Sequence, residues 1–345
     1  MTRLGVGFLG AGIATQAIHL PTLAAMPDRA EARYVMDVDA SVAERVAAWS
    51  GARATTEVGE VLDDPGVDVV VVASPAGAHA EQVIAASASG KRAILCEKPL
   101  ATNREDARLM LEAARSSGTP VLAGTMHGYD PACRAAIEAW RSAGAGAVLV
   151  RSRINLPADD VYIHAATQPL TEPPPWTEPP RPWPPGAASA FVTDILLGLV
   201  IHDIPLVREF LPDAGQVTSA ATPAPIGYML AARSGAGCAD FLGLVAADWE
   251  ADWSLEALGP TARLRIKFPP SYVHAGSATV RLDTTDGTRK WHYPQDGYQS
   301  EWSHLADVAA GLAEPLIPLE TAVADLEYTL QLAEGVAAIL EGAAR

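Results

Sequence analysis

The chain has 345 residues, 49% of them hydrophobic, and a formal net charge of −16 at pH 7. That length is enough to bury a large core and favours two domains over one. The acidic balance makes nucleic acid and anionic membrane surfaces poor partners. No apolar run reaches the roughly 18 to 20 residues of a membrane span, and the N-terminus lacks a signal-peptide cleavage pattern, so we expect a cytoplasmic protein.

The cysteines and histidines form no recognisable ligand pattern. Cys96, Cys133 and Cys238 are scattered without CxxC spacing, and the histidines show no metal-ligand spacing. We therefore expect reduced, mostly buried thiols, no disulfide framework and no bound metal.

A glycine turn near the N-terminus is the first candidate site. The apolar residues 6–9 predict a short buried strand, and Gly10-Ala11-Gly12 then leads directly into a helical pattern that begins at Ile13-Ala14. Glycine tolerates positive φ and lets a diphosphate approach the backbone N–H groups, while the helix N-terminus adds donors and partial positive charge. Thr15 occupies the third small-residue position of the usual fingerprint. The turn therefore predicts a dinucleotide site, provided that its surroundings agree.

An aspartate at the end of the next strand supports that prediction. Residues 31–36 predict a second strand that stops at Asp37, 27 residues after Gly10. A carboxylate there can accept hydrogen bonds from the ribose hydroxyls of the cofactor and repels a 2′-phosphate. Asp39 adds negative charge and is itself expected to be solvated. The pair favours NAD over NADP, the alternative being that Asp37 merely ends a strand.

The first third of the chain alternates strands with helices. Strands are predicted at 68–73, 92–96 and 120–123, a short helix and turn at 58–65, and helices at 78–87 and 103–116. This alternation is typical of a doubly wound parallel sheet, whose ligands bind beyond the carboxyl ends of the strands. The candidate site residues on that edge are Gly10, Asp37, Ser74 and Lys98.

Beyond Gly124 the pattern changes to that of a second sheet. A helix is predicted at 131–142, an apolar helical run broken by Pro205 at 187–211, and a hairpin turn at Asp286-Gly287. Strands that alternate polar and apolar residues are predicted at 147–154, 216–222, 227–232, 239–246, 253–258, 262–267 and 278–282.

A proline-rich stretch interrupts the second half. Residues 169–185 hold nine prolines together with Trp176 and Trp183. Because proline excludes both regular helix and central strand, we expect an ordered, stiff loop over the active-site side of the second domain. Its tryptophans, or Trp249, Trp253 and Trp302, could stack on a sugar ring, although most buried tryptophans belong to the core.

The order of these motifs resembles a known family. The glycine turn, Asp37, the SPxxxH segment from Ser74 to His79 and the CEKP segment from Cys96 to Pro99 are similar to those of the glucose-fructose oxidoreductase, inositol dehydrogenase and MocA family. The resemblance implies that Ser74, Pro75, His79, Glu97 and Lys98 contribute to a cofactor site.

The resemblance also implies a two-domain architecture. We expect an N-terminal Rossmann domain at residues 1–124 and a C-terminal α+β domain at residues 125–345. The second domain is built on a large, mostly antiparallel open sheet. One face of that sheet covers helices, and the other pairs with a second subunit to form a homodimer or homotetramer.

Lys98 and His202 are the predicted catalytic pair. Oxidising a secondary alcohol needs a base for the hydroxyl proton, and an ammonium group can stabilise alkoxide character on the same oxygen. Taken alone, a histidine in an apolar segment is more often a core residue; the family resemblance reverses that reading. Candidate substrate contacts are His127, Tyr129, Trp176, Trp183, Asp194 and Gly198, with His164 and His304 as weaker candidates.

Gly198 is the main departure from the family pattern. The family usually has an aspartate four residues before the histidine, one helical turn away. Asp194 lies about 12 Å further along a continuous helix and Asp203 points about 100° away, so neither replaces it. Since glycine inside a helix is unfavourable, we expect the empty space at Gly198 to admit a bulky group such as a glycoside aglycone.

Three functions remain open at this stage. The leading one is an NAD-dependent oxidoreductase acting on a secondary alcohol or ketone of a sugar, glycoside or cyclitol. The second is a non-catalytic dinucleotide-binding regulatory protein, which Gly198 would favour and the pair Lys98 and His202 disfavours. The third uses hydride transfer only transiently, in glycoside cleavage or epimerisation.

Overall fold

The computed structural model describes residues 3–157, 160–170, 183–184, 186–224, 226–235, 237–245 and 251–342. Within these ranges no helix combines the length and the apolar character that crossing a membrane requires. Trp176, Trp249 and most of the predicted stiff loop lie outside the described residues.

Two compact units make up the chain. The first comprises Met1–Thr125, Ile163–Pro173 and Tyr298–Ala324, and the second comprises Met126–Tyr162, Pro174–Gly297 and Asp325–Arg345. The first unit thus takes in two later segments besides its N-terminal part. The division into domains 1–124 and 125–345 stays a prediction.

The first unit contains a six-stranded parallel sheet in the order β3-β2-β1-β4-β5-β6. Its strands are β1 Leu4–Leu9, β2 Ala30–Met36, β3 Arg53–Thr55, β4 Val69–Val72, β5 Ala93–Glu97 and β6 Val121–Gly124. This is the strand order of the Rossmann fold, in which the switch point lies between β1 and β4. The sequence analysis missed β3, which has only three residues and a single buried one.

The second unit contains an eight-stranded sheet in the order β14-β13-β12-β11-β7-β10-β9-β8. Only β7 and β10 pair in parallel, and every other neighbouring pair is antiparallel. The two sheets confirm the predicted fold class. The strands are β7 Leu149–Leu156, β8 Gln216–Ala221, β9 Ile226–Ser234, β10 Gly237–Val245, β11 Asp252–Leu258, β12 Ala262–Lys267, β13 Thr279–Thr284 and β14 Gly287–Trp291.

Local signals set several helix boundaries. Asp39, Asn103 and Asp130 cap helix N-termini through their side chains, and Gly51 and Gly118 end helices at φ 74° and 73°. The α-helices are α1 Leu20–Ala24, α2 Ala40–Ser50, α3 Val58–Asp63, α4 His79–Ala88, α5 Arg104–Ser117, α6 Met126–Tyr129, α7 Pro131–Ser142, α8 Asp160–Ala166, α9 Ala187–Gly198, α10 Ile204–Arg208, α11 Gly297–Ala309 and α12 Leu319–Gly342. A π-helical turn, Thr15–His19, precedes α1, and 3₁₀ turns lie at Ala76–Ala78 and Val200–His202.

The second sheet has one buried and one charged face. Alternate residues of β7 are buried, whereas Arg151 and Arg153 between them are partly exposed. Arg151 pairs with Asp240 at 3.3 Å, and Arg265 bonds Glu256 at 3.2 Å on the same outer face. Such partly exposed pairs contribute little to stability. Self-association through this face stays a prediction.

Two sequence-based expectations were wrong, one about a hairpin turn and one about a helix break. The hairpin between β13 and β14 turns at Thr285-Asp286, and Gly287 already pairs with Thr284 as the first residue of β14. The predicted helical run at 187–211 breaks at Leu199, not at Pro205. Pro205 lies in the first turn of α10, where its missing N–H is not needed.

The helix break changes the expected geometry around His202. Leu199 has φ −125° and separates α9 from the 3₁₀ turn that carries His202. Gly198 and His202 are therefore not one turn apart on a continuous helix. The approximately 12 Å separation assumed between Asp194 and His202 also loses its basis, since it required uninterrupted helical rise.

A buried ion pair joins α10 to α12 in the second unit. Arg208 donates to Asp325, whose side chain is only 4% exposed. Burial raises the pKa of Asp325 to about 6 even though Arg208 opposes that shift. The folded protein thus binds this proton more readily than the unfolded chain, and the contribution of Asp325 to stability falls as pH rises from about 4 through 6.

We expect Arg208→Met to destabilise the protein by about 3 kcal/mol at pH 7.5, because it leaves a buried carboxylate unpaired. The loss should shrink at pH 5, where Asp325 takes up a proton. Chemical denaturation at both pH values measures this. The matched control is Arg208→Met combined with Asp325→Asn, which should recover most of the loss at pH 7.5; an equal loss at both pH values would contradict the argument.

Candidate functional site

Gly10 is enclosed between two strand ends of the first sheet. Its N–H donates to the Met36 carbonyl at 2.8 Å, and its φ is 103°. A Cβ at this position would lie 2.6 Å from both the Ala73 oxygen and the Ser74 nitrogen. Since no side chain fits there, glycine is required by space as well as by backbone conformation.

Gly12 faces open space. A Cβ built there meets no atom of the described residues within 4 Å, its chain neighbours apart, and Ile13 and Ala14 after it are partly exposed. Thr15 is fully buried and donates its hydroxyl to the Gly10 carbonyl at 2.6 Å. The third fingerprint position therefore accommodates a larger residue because its hydroxyl finds an acceptor inside the turn.

Asp37 is joined to the glycine turn. Its Oδ2 accepts from the Ala11 N–H at 2.9 Å, and its Oδ1 accepts from the Asp39 N–H at 3.0 Å. Asp39 is exposed but not merely solvated: its Oδ1 accepts from the N–H groups of Ser41 and Val42 and caps α2. Asp37 thus bonds the glycine turn, whereas Asp39 caps the N-terminus of α2.

The SPxxxH segment is tied to the loop after β5. The two ring nitrogens of His79 lie 2.8 Å from the Ser74 oxygen and 2.9 Å from the Pro99 oxygen. His79 is 1% exposed, and the Ser74 hydroxyl donates to Gln82 at 2.7 Å. His79 therefore positions two strand ends, while cofactor contact by Ser74, Pro75 and His79 stays a prediction.

A buried chain of polar groups lies behind Lys98. The Trp302 indole N–H donates to His19 Nδ1 at 3.2 Å, which assigns the ring proton to Nε2, and Nε2 lies 3.0 Å from Glu97 Oε1. Glu97 Oε2 accepts the Lys98 N–H at 3.0 Å. Burial by itself would raise the pKa of Glu97, but His19 and Lys98 together lower it. Sequence reasoning missed His19 and treated Trp302 as a stacking candidate.

In the second unit, the Asp203 carboxylate accepts hydrogen bonds from three side chains. It accepts from His127 Nδ1 at 2.9 Å, from the Ser152 hydroxyl at 2.7 Å and from the Trp253 indole at 2.9 Å. Asp203 is fully buried. Burial, and then the Asp203 charge, raise the pKa of the nearby Tyr228. The Asp203 carboxylate thus bonds side chains of the core.

His202 belongs to a buried cluster of rings. Its ring centroid lies 5.7 Å from that of Trp253 and 5.9 Å from that of His127, and His127 stacks on Phe268 at 3.7 Å. Tyr129 is also buried, at 2% exposure. The ring contacts hold His127 in the core of the unit, and a substrate contact by His127 or Tyr129 stays a prediction.

A cavity of about 360 Å³ lies between α9 and the second sheet. Gly198 and Asp194 both line it, and Phe191, another lining residue, has its ring 5.0 Å from that of Trp183. Among the described residues, a Cβ on Gly198 would meet no atom within 4 Å beyond its chain neighbours and its own helix backbone. The structure thus brings Gly198 and Asp194 together at one cavity and places Trp183 beside it.

The two weaker histidine candidates lie elsewhere. His164 is exposed on α8, and His304 Nε2 accepts the Leu316 N–H at 2.8 Å. Lys98 belongs to the first unit and His202 to the second, so their pairing stays a prediction.

The two glycines of the turn should respond differently to alanine. Gly10→Ala should cost about 2 kcal/mol or more, because a non-glycine residue is strained at that φ and its Cβ meets backbone. Gly12→Ala should leave Tm unchanged and weaken NAD binding about tenfold by holding the diphosphate off the backbone. Thermal melts and NAD titration calorimetry measure both effects; a stable Gly10→Ala protein would refute the steric argument.

Comparison with known proteins gives consistent similarities. Residues 4–125 match the family model described as an oxidoreductase family with an NAD-binding Rossmann fold. Inositol 2-dehydrogenase 3 of Saccharopolyspora erythraea is 38% identical over 146 residues, 42% of this chain and 43% of that protein. The 1,5-anhydro-D-fructose reductase of Ensifer adhaerens is 35% identical over 189 residues, 54% of this chain and 51% of that protein. The matches thus span about half or less of these relatives.

Solved structures resemble the whole chain in fold. A 3-ketoreductase from Actinomadura kijaniata, in complex with NADP, has a TM-score of 0.71 at 19% identity, covering 99% of this chain and 98% of that one. A UDP-N-acetylglucosamine 3-dehydrogenase from Acidithiobacillus ferrooxidans has a TM-score of 0.73 at 17% identity, covering 99% and 100%. The motifs and the family model thus agree over residues 4–125, which match the glucose-fructose oxidoreductase, inositol dehydrogenase and MocA family, and the whole chain shares its fold with these solved structures.

Proposed function

We propose that the protein is an NAD-dependent oxidoreductase that acts on a secondary alcohol or ketone of a sugar, glycoside or cyclitol. The observation that carries this proposal is the glycine turn with Asp37 bonded to it, on the same sheet edge as Lys98. Relatives support the substrate class, since they include dehydrogenases of inositol and of levoglucosan and a reductase of anhydrofructose.

The residues of the turn fit a dinucleotide. Gly10 lets β1 turn where no Cβ has room, and Gly12 leaves the space that a diphosphate needs. Ile13 and Ala14 offer backbone N–H groups at the start of the helical segment, and Asp37 has acceptor capacity left for ribose hydroxyls. When bound, NAD supplies the hydride acceptor.

Lys98 and His202 carry the proposed proton chemistry. His202 takes the hydroxyl proton, because imidazole can change its charge near neutral pH. Lys98 donates a hydrogen bond to the reacting oxygen and stabilises its developing negative charge. Asp203 accepts hydrogen bonds from His127, Ser152 and Trp253, and these bonds anchor the chain directly after His202.

Glu97, His19 and Trp302 act as positioning residues for Lys98. The carboxylate holds the backbone N–H of Lys98, and the imidazole and indole behind it hold the carboxylate. Because Trp302 and His19 are 2% and 0% exposed, the chain of contacts is rigidly packed. Lys98 therefore starts from a fixed backbone position.

Asp37 should select NAD over NADP. We expect the wild-type protein to bind NAD at least about tenfold more tightly than NADP, because the carboxylate repels a 2′-phosphate. Asp37→Ser should narrow this ratio, and adding Val38→Arg should narrow it further or reverse it by supplying a phosphate partner. Titration calorimetry measures both affinities.

The matched control for that experiment is Asp39→Ser. Serine keeps the cap on α2 while removing one negative charge. Its effect on the NAD to NADP ratio should be clearly smaller than that of Asp37→Ser. Equal effects would mean that general charge, and not the position of Asp37, sets the preference. Tighter NADP binding by the wild-type protein would overturn the proposal of NAD.

Lys98→Met and His202→Asn should each lower turnover about 10²-fold to 10⁴-fold, as expected when proton transfer or oxyanion stabilisation is lost. Tm should stay nearly unchanged in both variants, and NAD affinity should stay nearly unchanged in His202→Asn. Lys290→Met, on exposed β14, is the control for removing a lysine. The assay follows NADH release over a panel of sugars, cyclitols and glycosides.

The same panel separates the competing functions. Hydrogen exchange at a sugar carbon without NADH release would indicate transient redox chemistry. A wild-type protein that binds NAD but is inert to every substrate, with no exchange, would favour a regulatory role. Wild-type turnover in either variant would refute the assignment of that residue.

A further inference from the structure

We propose that the cavity between α9 and the second sheet binds the uncharged, apolar aglycone of a glycoside, and that Gly198 is the residue that admits it. The identification of the group as an aglycone rests on the proposed function. The existence of the binding site rests on the geometry of the second unit alone.

One wall of the cavity is a stripe of α9. Phe191, Asp194, Ile195, Gly198 and Leu199 follow the spacing of a single helix face and all line the cavity. The apolar members of this stripe are only partly buried. In a helix packed on a sheet such a stripe is normally covered, so an apolar ligand would complete its burial.

Closely packed residues of the second sheet form the opposite wall of the cavity. Tyr228 and Ile154 are 2% and 1% exposed, and both line the cavity from the sheet. A Cβ on Gly243 would lie 2.4 Å from the Tyr228 ring and 2.6 Å from the Ile154 oxygen. The Tyr228 ring thus occupies the space that a side chain at 243 would need, which fixes this wall.

Gly198 keeps the space between the two walls open. A side chain at this last residue of α9 would project into space that the described residues leave open. The family pattern would put an aspartate near this point of the chain. Its replacement by glycine removes both volume and charge from the cavity, and both changes favour an apolar occupant.

The chemistry of the lining selects the class of ligand. About 360 Å³ is at the lower end of the range of small-molecule pockets and suits one or two rings. Asp194, which is exposed, is the charged residue among the described residues that line the cavity. No lysine or arginine belongs to that described set, and the Asp194 carboxylate would repel a nucleoside diphosphate or a carboxylated aglycone.

Binding can be tested without turnover. We use the protein with NAD present and titrate two fluorescent probes of equal ring size, uncharged 2-naphthol and anionic 2-naphthoate. The wild-type protein should prefer 2-naphthol by about tenfold or more. Gly198→Leu, which fills the cavity, should weaken 2-naphthol binding about tenfold or more, with Gly198→Ala intermediate.

Two further variants make the result specific. Gly59→Leu places the same side chain on exposed helix α3, where a Cβ has no neighbour nearer than 4.0 Å, and should leave probe binding unchanged. Phe191→Ser makes the α9 wall more polar without filling the cavity and should also weaken 2-naphthol binding. It provides an independent test if Gly198→Leu lowers Tm.

Turnover of two glycosides provides a second test of the cavity proposal. The ratio of kcat/KM for a phenyl glycoside to that for the methyl glycoside of the same sugar should fall about tenfold or more in Gly198→Leu, while NAD affinity stays unchanged. Unchanged probe binding together with an unchanged ratio would overturn the cavity proposal and leave the proposed oxidoreductase standing. Probe binding that depends on Gly198, in a protein inert to all sugars, would support the cavity and overturn the proposed function.

Discussion

The buried carboxylate of Asp203 is the constraint on which the candidate site of the second unit depends. A fully buried negative charge is costly unless it is hydrogen-bonded, and here three donors satisfy it. His127, Ser152 and Trp253 come from α6, β7 and β11, so one carboxylate ties three distant segments together. The next residue back is His202, whose backbone is thereby fixed against the sheet.

In the first unit, other contacts fix the backbone of the candidate site. At the carboxyl edge of the parallel sheet, backbone packing around Gly10 fixes the turn, and Asp37 is bonded to it. Behind Lys98, Trp302 and His19 hold the Glu97 carboxylate. In both units a carboxylate bonded to backbone or ring N–H groups fixes the backbone of a residue that the proposed chemistry uses.

The break after α9 explains how a site can lack the usual aspartate and remain organised. Because the helix ends at Gly198, the chain reaches His202 through a 3₁₀ turn that Asp203 anchors. The orientation of this segment is then set by Asp203 and not by a carboxylate one turn earlier. A carboxylate at position 198 is then not needed to orient this segment. The space beside Gly198 becomes part of the cavity.

The sequence by itself determined most of the elements and their order. The helix Pro131–Ser142 and the strand Ala262–Lys267 have the predicted bounds, since capping residues and hydrophobic periodicity act locally. Motif spacing placed Gly10, Asp37 and Lys98 at strand ends. Only the tertiary structure decided the partners of Asp203, which lie 50 to 76 residues away, and the chain of contacts from Trp302 to Glu97. It also decided the helix break at Leu199, because long-range hydrogen bonds and packing leave no periodic signal in the sequence.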